Sequence, residues 1–541
     1  MFKSMYKILY VISILLLLVV TSCKDFGELN TNPTKASSAD PNSQLTYIQL
    51  LMWGSWVTTQ PYVWYCSSFT QQLQGEWNVT NYGGQYRRSD NVMRQTWEEV
   101  YSESVKNMID VLSTTEGKPI YQNVRSVARL FKVYYFMILT DLYGDIPYSE
   151  AGKGYTEGIV SPVYDSQESI YKDFLKELKE VELALNEDGG SITSDVVYNG
   201  DIKKWKRFAN SLRLRVAMRL TKMDPELAKE EVIDILNTES GVLTASDNAF
   251  IKYLDVYDWS SDEIRSNSIS LNWRGRDPYP TEYICSTFWN YLKDTNDPRL
   301  FRYGRAYDET KSAANNPFSR IDITDEILSK KGINQFQPPK PGYFWYQKWP
   351  SGYMSTLTNK WQDKSCRPQV NNAFLKGDTP GVLITYPEVQ LLLCEAKVRW
   401  GASISGNLTA AQYYKNGVTS AMKVLAEYGI DEISNEGITN YLNANPFPST
   451  EEKQLKAINE QLWILHFNNP PEAYSNWRRS SYPVLKPSSE YGAITIESQT
   501  IPRRLNYPLS EASYNGKSYN EAIANLGGSD DWNARVWWDK E

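Results

Sequence analysis

Aromatic side chains set in polar stretches are the residues of this sequence best suited to chemistry. The chain carries 18 Trp, 38 Tyr and 16 Phe. One cluster is Trp53, Trp56, Tyr62, Trp64, Tyr65, Trp77, Tyr82 and Tyr86. A second is Tyr257, Trp259, Trp273, Tyr279 and Tyr283, and a third runs from Tyr343 through Trp345 and Trp349 to Trp361. A ring in a polar loop can stack on the C–H face of a sugar, while amides and charges beside it bond the hydroxyls. Asn78, Asn81, Gln85, Asn272, Arg274, Arg276 and Asp277 stand ready for that second task. Ring type and loop context single out Trp77, Tyr82, Trp273, Tyr279 and Trp345 as expected ligand contacts. Two other uses compete: rings can pack loops onto a core, and a peptide would engage the same rings, with charges catching its termini.

Catalytic chemistry finds less support. There is one histidine, His466, so a multi-histidine metal site is excluded and a Ser-His-Asp triad is poorly supplied. His466 falls on an apolar helical stripe with Leu462, Trp463 and Phe467, as a core or interface residue would. The 64 carboxylates leave room for a glycosidase pair in principle. Asp141 and Asp145 have helical-turn spacing, but Asp145 belongs to a Gly-Asp-Ile-Pro turn and reads as a helix terminus. Asn515-Gly516-Lys517-Ser518 resembles the end of a phosphate loop, yet the required first glycine is Glu511. No catalytic residue, metal ligand or cofactor is expected. A surface glycoside hydrolase and a purely structural scaffold remain the competing classes.

The elements that must position these rings are helical. Val124, Val127, Ala128, Leu130, Phe131, Tyr134, Met137 and Ile138 recur at three and four, predicting a helix over 121–142 that stops at Tyr143-Gly144-Asp145-Ile146-Pro147. Similar stripes predict helices over 166–186, from Asp201 through Leu220, over 386–400, 409–428 and 451–467. Small residues at the expected crossings (Ala128, Ala209, Ala217, Ala396, Ala421) suggest helical hairpins of the tetratricopeptide type. Regions near 50–92 and 240–380 lack this periodicity and read as long aromatic-rich excursions, with little strand anywhere. Residues 45–541 are expected to form a single domain.

The N-terminus reads as an address. Lys3 and Lys7 precede the apolar run Ile8–Val20, which is short for a membrane span and fits a signal peptide over 1–22. It ends at Val20-Thr21-Ser22-Cys23, a bacterial lipobox with Cys23 as the lipidation site; an ordinary cut near Ser22 is the alternative. Residues 23–44 are polar and turn-rich and read as a lipidated tether. Four further cysteines (Cys66, Cys285, Cys366, Cys394) show no disulfide spacing, and Cys394 reads as a free core thiol. With a formal charge of −7 and no basic run, nucleic acid is not an expected partner.

The order of motifs resembles the SusD/RagB family of outer-membrane nutrient-binding lipoproteins. The matching pieces are Cys23-Lys24-Asp25-Phe26 with Leu29-Asn30-Thr31-Asn32-Pro33, Thr140-Asp141-Leu142-Tyr143-Gly144-Asp145-Ile146-Pro147, Ser161-Pro162-Val163-Tyr164-Asp165, Gly200-Asp201-Ile202 through Arg215, Asp297-Pro298-Arg299-Leu300, Tyr386-Pro387-Glu388-Val389 to Cys394-Glu395-Ala396, Asn476-Trp477-Arg478-Arg479, and Ile501-Pro502-Arg503-Arg504. The resemblance implies a helical fold on tetratricopeptide-like hairpins. It implies a protein anchored in the outer membrane by lipid (diacylglycerol and palmitate) on Cys23 and facing the cell surface. It further implies a lid on a SusC-type TonB-dependent transporter that captures oligosaccharides, or in some members peptides, without catalysis. The motifs themselves read as structural, with Trp477-Arg478-Arg479 as a buried cation–ring and ion-pair node.

Overall fold

The computed structural model describes residues 39–75, 78–256, 263–274, 282–305, 338–343, 368–406, 408–493 and 496–541. Helix dominates them. The principal helices are α1 (Pro41–Gly54), α2 (Lys106–Thr114), α3 (Gln122–Tyr143), α4 (Gln167–Ala184), α5 (Ile202–Arg219), α6 (Pro225–Leu236), α7 (Tyr386–Trp400), α8 (Ala410–Lys423), α9 (Glu451–Leu465) and α10 (Pro470–Ser480). They pack as sequential neighbours: α1 and α2 on α3, α3 on α4, α4 on α5, α5 on α6, then α7 on α8 and α9, and α9 on α10. Among the described residues, no helix is long and apolar enough to cross a membrane.

Local chemistry sets the helix ends. The Asp201 carboxylate accepts the Lys204 N–H at 3.0 Å and starts α5. Thr409 and Gln412 cap α8 reciprocally. Gly144, at φ +95°, ends α3 in a backbone region that side chains resist. α3 is the axis of the packing: 18 of its 22 residues are buried, the polar Asn123, Ser126, Thr140 and Asp141 among them. The crossing alanines 128, 209, 217, 396 and 421 are all at most 1% exposed, so the helices approach closely.

Buried ion pairs cross this core. Arg215 of α5 grips Glu388 of α7 bidentately at 2.6 and 2.8 Å. Arg219 does the same to Glu472 of α10 at 3.0 and 2.6 Å, and reaches Asp141 of α3 at 3.2 Å. Arg479 holds Glu395 at 2.7 and 2.8 Å. The neighbouring Arg478 lies 4.0 Å from the Tyr474 ring centre and 4.8 Å from that of Trp538. The expected cation–ring and ion-pair node is therefore observed.

Strands are few and short. β1 (Leu73–Gly75), β5 (Glu282–Ile284), β7 (Gln369–Val370) and β6 (Gly304–Arg305) form an antiparallel sheet in the order β1-β5-β7-β6. β2 (Ile146–Pro147) pairs with β3 (Tyr164–Asp165), and β4 (Ala249–Ile251) with β8 (Gly381–Ile384).

Two sequence expectations need correction. The segment near 50–92 is largely helical: α1 leads to a helix at Trp56–Pro61, π-helical turns at Tyr62–Cys66 and Val79–Gly84, and a helix at Asp90–Glu99. Each π turn inserts a residue into the 3.6 repeat and hides the apolar stripe from periodicity. The tether also ends sooner than residue 44. Asp40 caps α1, and Pro41 and Asn42 are already buried. Within 240–380, the described residues combine short helices, Ser268–Arg274 and Ser286–Asp294, with the strands above.

Candidate functional site

The site is built around one buried hydroxyl, that of Thr80. The Gly75 N–H donates to Thr80 Oγ1 at 3.0 Å. The hydroxyl in turn faces the carbonyl oxygens of Gly75 at 2.9 Å and Tyr343 at 3.4 Å and the Gln74 side-chain oxygen at 3.1 Å. Gly75 lies opposite Glu282 in the β1–β5 register. Three remote stretches of chain thus meet here. Trp77 shortly follows Gly75, Tyr279 shortly precedes Glu282, and Trp345 shortly follows Tyr343. Trp77, Tyr279 and Trp345, like Cys23 and Cys366, lie outside the described residues. The described residues flanking three of the five expected ligand rings nevertheless converge.

Tyr82 stands at this junction, on the π turn Val79–Gly84. It is half-buried and stacks on half-buried Trp64, with ring centres 5.8 Å apart and planes 20° apart. Tyr65, fully buried beneath, meets the Tyr82 ring at 6.0 Å. Polar groups fringe the pair. Arg87 donates to Asn81 Oδ1 at 2.7 Å and lies 3.9 Å from Glu497, which also accepts the Arg88 N–H at 3.0 Å. Two parallel rings edged by amide, guanidinium and carboxylate can cover an apolar ligand face and bond its hydroxyls at once. Gly83 makes the stack possible. A Cβ there would fall 2.3 Å from the Trp64 carbonyl oxygen and 2.7 Å from Ser68 Cβ. The two π turns touch only because that atom is missing.

The remaining expected contact, Trp273, is placed otherwise. It is 1% exposed, with its ring 5.2 Å from Phe467 and 6.4 Å from Phe374. Its neighbour Asn272 is buried and donates to Thr59 Oγ1 and the Ser268 carbonyl. As folded, Trp273 presents no face to solvent; the reason is that it sits on a short helix, Ser268–Arg274, directed into the core. Trp53, Tyr62, Tyr86, Tyr283 and Tyr343 are buried as well. The sequence reading passed over Trp64 as a contact, along with Arg87 and Glu497. No spacing rule links Trp64 to Tyr82; only the paired π turns do.

The charged residues that invite a catalytic reading are committed to structure. Asp141 is buried and accepts bonds from the Tyr171 hydroxyl and, at 2.8 Å, from Trp538 Nε1. Burial raises its carboxyl despite Arg219 and Arg478 nearby. Asp145 instead accepts the Gln167 N–H at 2.9 Å and the Asn525 amide at 3.1 Å. Glu388, His466 and Glu472 gather within 4.8 Å, a cation-binding set by residue type. Both carboxylates, however, are gripped bidentately by Arg215 and Arg219, so guanidinium charge already fills the cluster. Burial alone would raise the Glu388 carboxyl; the Arg215 charge overrides it and holds the group down to about 2. Burial and Arg479 act on Glu395 in the same opposed way, and the result is again about 2.

Among the described residues, a helix-dominated scaffold thus carries the half-buried Trp64–Tyr82 stack at the junction of three chain segments. The family model for SusD-like proteins described as starch-binding and associating with the outer membrane matches residues 33–508, and the chain belongs to that family. A SusD-like structure from Bacteroidetes AC2a is 36% identical, with a TM-score of 0.84 over 93% of this chain and 100% of its own. A chitin-binding protein is 32% identical, with a TM-score of 0.76 over the same shares of the two chains. A chitin-binding SusD homologue from Flavobacterium johnsoniae, 23% identical with a TM-score of 0.69, shares the fold over 93% of this chain and 98% of its own. No protein of curated function matches the chain.

Proposed function

We propose that this chain is a surface-exposed, lipid-anchored nutrient-binding protein that captures oligosaccharides. It would deliver them to a SusC-type TonB-dependent transporter in the outer membrane. The observation that carries the reading is the Trp64–Tyr82 stack, set where the flanks of Trp77, Tyr279 and Trp345 converge. Family membership supports the carbohydrate class, and the 32%-identical chitin-binding protein favours a β-linked amino-sugar chain as the first ligand to try. Binding without turnover accords with a platform of rings and amides. Each stacked ring contributes about 0.5–1.5 kcal/mol, so two or three rings supply roughly 1–4.5 kcal/mol, which by themselves give an affinity of about millimolar at best, suited to hand-over.

The test is calorimetric titration of the chain beginning after Cys23 with chito-oligosaccharides, starch oligosaccharides and short peptides, with products chromatographed from the same mixtures. Saturable heat with intact sugar, weakened about 2- to 12-fold by Tyr82→Ala, is the expected outcome. Shortened products would replace the reading with a hydrolase. Saturation by peptide alone would keep the lid role and change the cargo.

A further inference from the structure

A cleft opens at Arg88, the chain neighbour of the Arg87 that fringes the platform. It measures about 250 Å³ and lies between the start of the helix Asp90–Glu99 and the C-terminal stretches around Asn506, Tyr519 and Asp530. Its size falls below the roughly 300–1,000 Å³ of sites for drug-sized ligands, which suits a single ring unit better than a chain.

The cleft is held open by fixed bonds. Asp90 Oδ1 accepts the Leu509 N–H at 2.9 Å, tying the helix start to the C-terminal segment. Asp530 pairs with Arg504 and accepts the Tyr507 N–H at 2.9 Å. The Asn506 amide donates through Nδ2 to the Asp530 carbonyl, which fixes which way the amide points. Its Oδ1 is then buried and accepts nothing. Asn506 lines the cleft, with that oxygen shielded from solvent behind the wall.

The chemistry of the wall selects a ligand. The Asp90 carboxylate, whose Oδ1 accepts the Leu509 N–H, calls for further donors. Arg88, exposed at the rim, offers donors in return. Tyr519 and Tyr507 meet edge to face, with ring centres 6.1 Å apart and planes 71° apart, and Met93 completes an apolar side. A ligand must therefore donate several hydrogen bonds, accept one or two, and present an apolar face. A pyranose does all three with no net charge. We infer that this cleft is a second carbohydrate site, taking one neutral pyranose unit independently of the Trp64–Tyr82 platform. The choice of a sugar over other donors rests on the function proposed above.

The test uses the chain beginning after Cys23 and two probes, glucose and N-acetylglucosamine, read by saturation-transfer NMR and calorimetry. Leu509 is 65% exposed at the cleft mouth, so Leu509→Trp can block it with the fold intact. Tyr519→Ala removes part of the wall, and thermal melting checks both variants. The expected result is saturable binding of at least one monosaccharide, weakened about 2- to 12-fold or more in Leu509→Trp and Tyr519→Ala, with oligosaccharide affinity unchanged in those same two variants. Loss of monosaccharide binding in Tyr82→Ala alone would return the sugar to the platform and overturn the second site. No saturable monosaccharide binding, with oligosaccharide still bound, would overturn the cleft and leave the proposed function standing. Equal binding of glycylglycine in the cleft would overturn the sugar assignment. Failure of every oligosaccharide on the unaltered chain would count against the proposed function, whatever the cleft does.

Discussion

Replacing Gly83 with alanine should damage both stability and ligand capture, because one atom decides how closely the two π turns approach. The added Cβ would lie 2.3 Å from the Trp64 carbonyl oxygen and 2.7 Å from Ser68 Cβ. Unstrained contact needs about 3.5 Å, so the turns must part by roughly 1.2 Å. The obstructing atoms are backbone and a Cβ, neither of which can swing aside. Taken up along the stack, that shift moves Trp64 and Tyr82 from 5.8 Å towards about 7 Å, the outer limit for useful ring pairing. Overpacking of this kind costs about 1–3 kcal/mol. Gly84→Ala should be milder, since its Cβ meets a side-chain atom, Gln74 Oε1, at 2.5 Å, which can turn away at the cost of its bond with Thr80. Gly516→Ala, with nothing within 4 Å, is the control, and it should be neutral or stabilise by up to about 1 kcal/mol. Urea unfolding gives the stability order, and calorimetry with chito-oligosaccharide gives the affinity order. If Gly83→Ala matches the unaltered chain in both, the π-turn contact does not position the platform and the argument for Gly83 fails.

Other consequences are open to direct measurement. Arg219→Met leaves Glu472 and Asp141 buried without their shared counter-charge and should cost about 3–5 kcal/mol by urea unfolding; a change under 1 kcal/mol, on the scale of about 0–1 for surface pairs, would mean the pair is solvated. Glu388 and Glu395 are held down to about 2 in the fold against an ordinary 4.5. Their contribution is therefore complete above the unfolded value and is lost as pH falls from there towards about 2. The urea midpoint should decline over that window, and Glu388→Gln should flatten part of the decline. Cys66, Cys285 and Cys394 are free and buried, and burial pushes the first two thiols up to about 12. Peptide mapping should find all three unmodified by a thiol reagent in the native chain and modified in urea.

What the sequence disclosed and what it hid divide along a physical line. Helices whose contacts are local repeats were readable: the stripe from Val124 to Ile138, the Asp201 cap, the Gly144 stop, and the two segments after Tyr386 and Thr409 all lie where periodicity placed them. The charged node at Trp477-Arg478-Arg479 was readable because buried arginine demands acids and rings. The ring-rich stretch near 50–92 was misread for a definite reason. Two π turns break the 3.6 repeat there, and the same irregularity brings Trp64 onto Tyr82. Composition could say that rings were abundant, but not which rings faced outward. Trp273 and Tyr82 look alike in sequence, each following an Asn with a Gly within two residues, yet Trp273 turns into the core and Tyr82 stays half-buried. The difference is made by their partners, Phe467 far along the chain for Trp273, and Trp64 and Tyr65 across a pair of π turns for Tyr82. The Trp64–Tyr82 stack, built on two irregular turns, leaves no periodic signature. Its clearest trace in this sequence is the glycine pair at 83 and 84, which marks where two stretches of backbone had to touch.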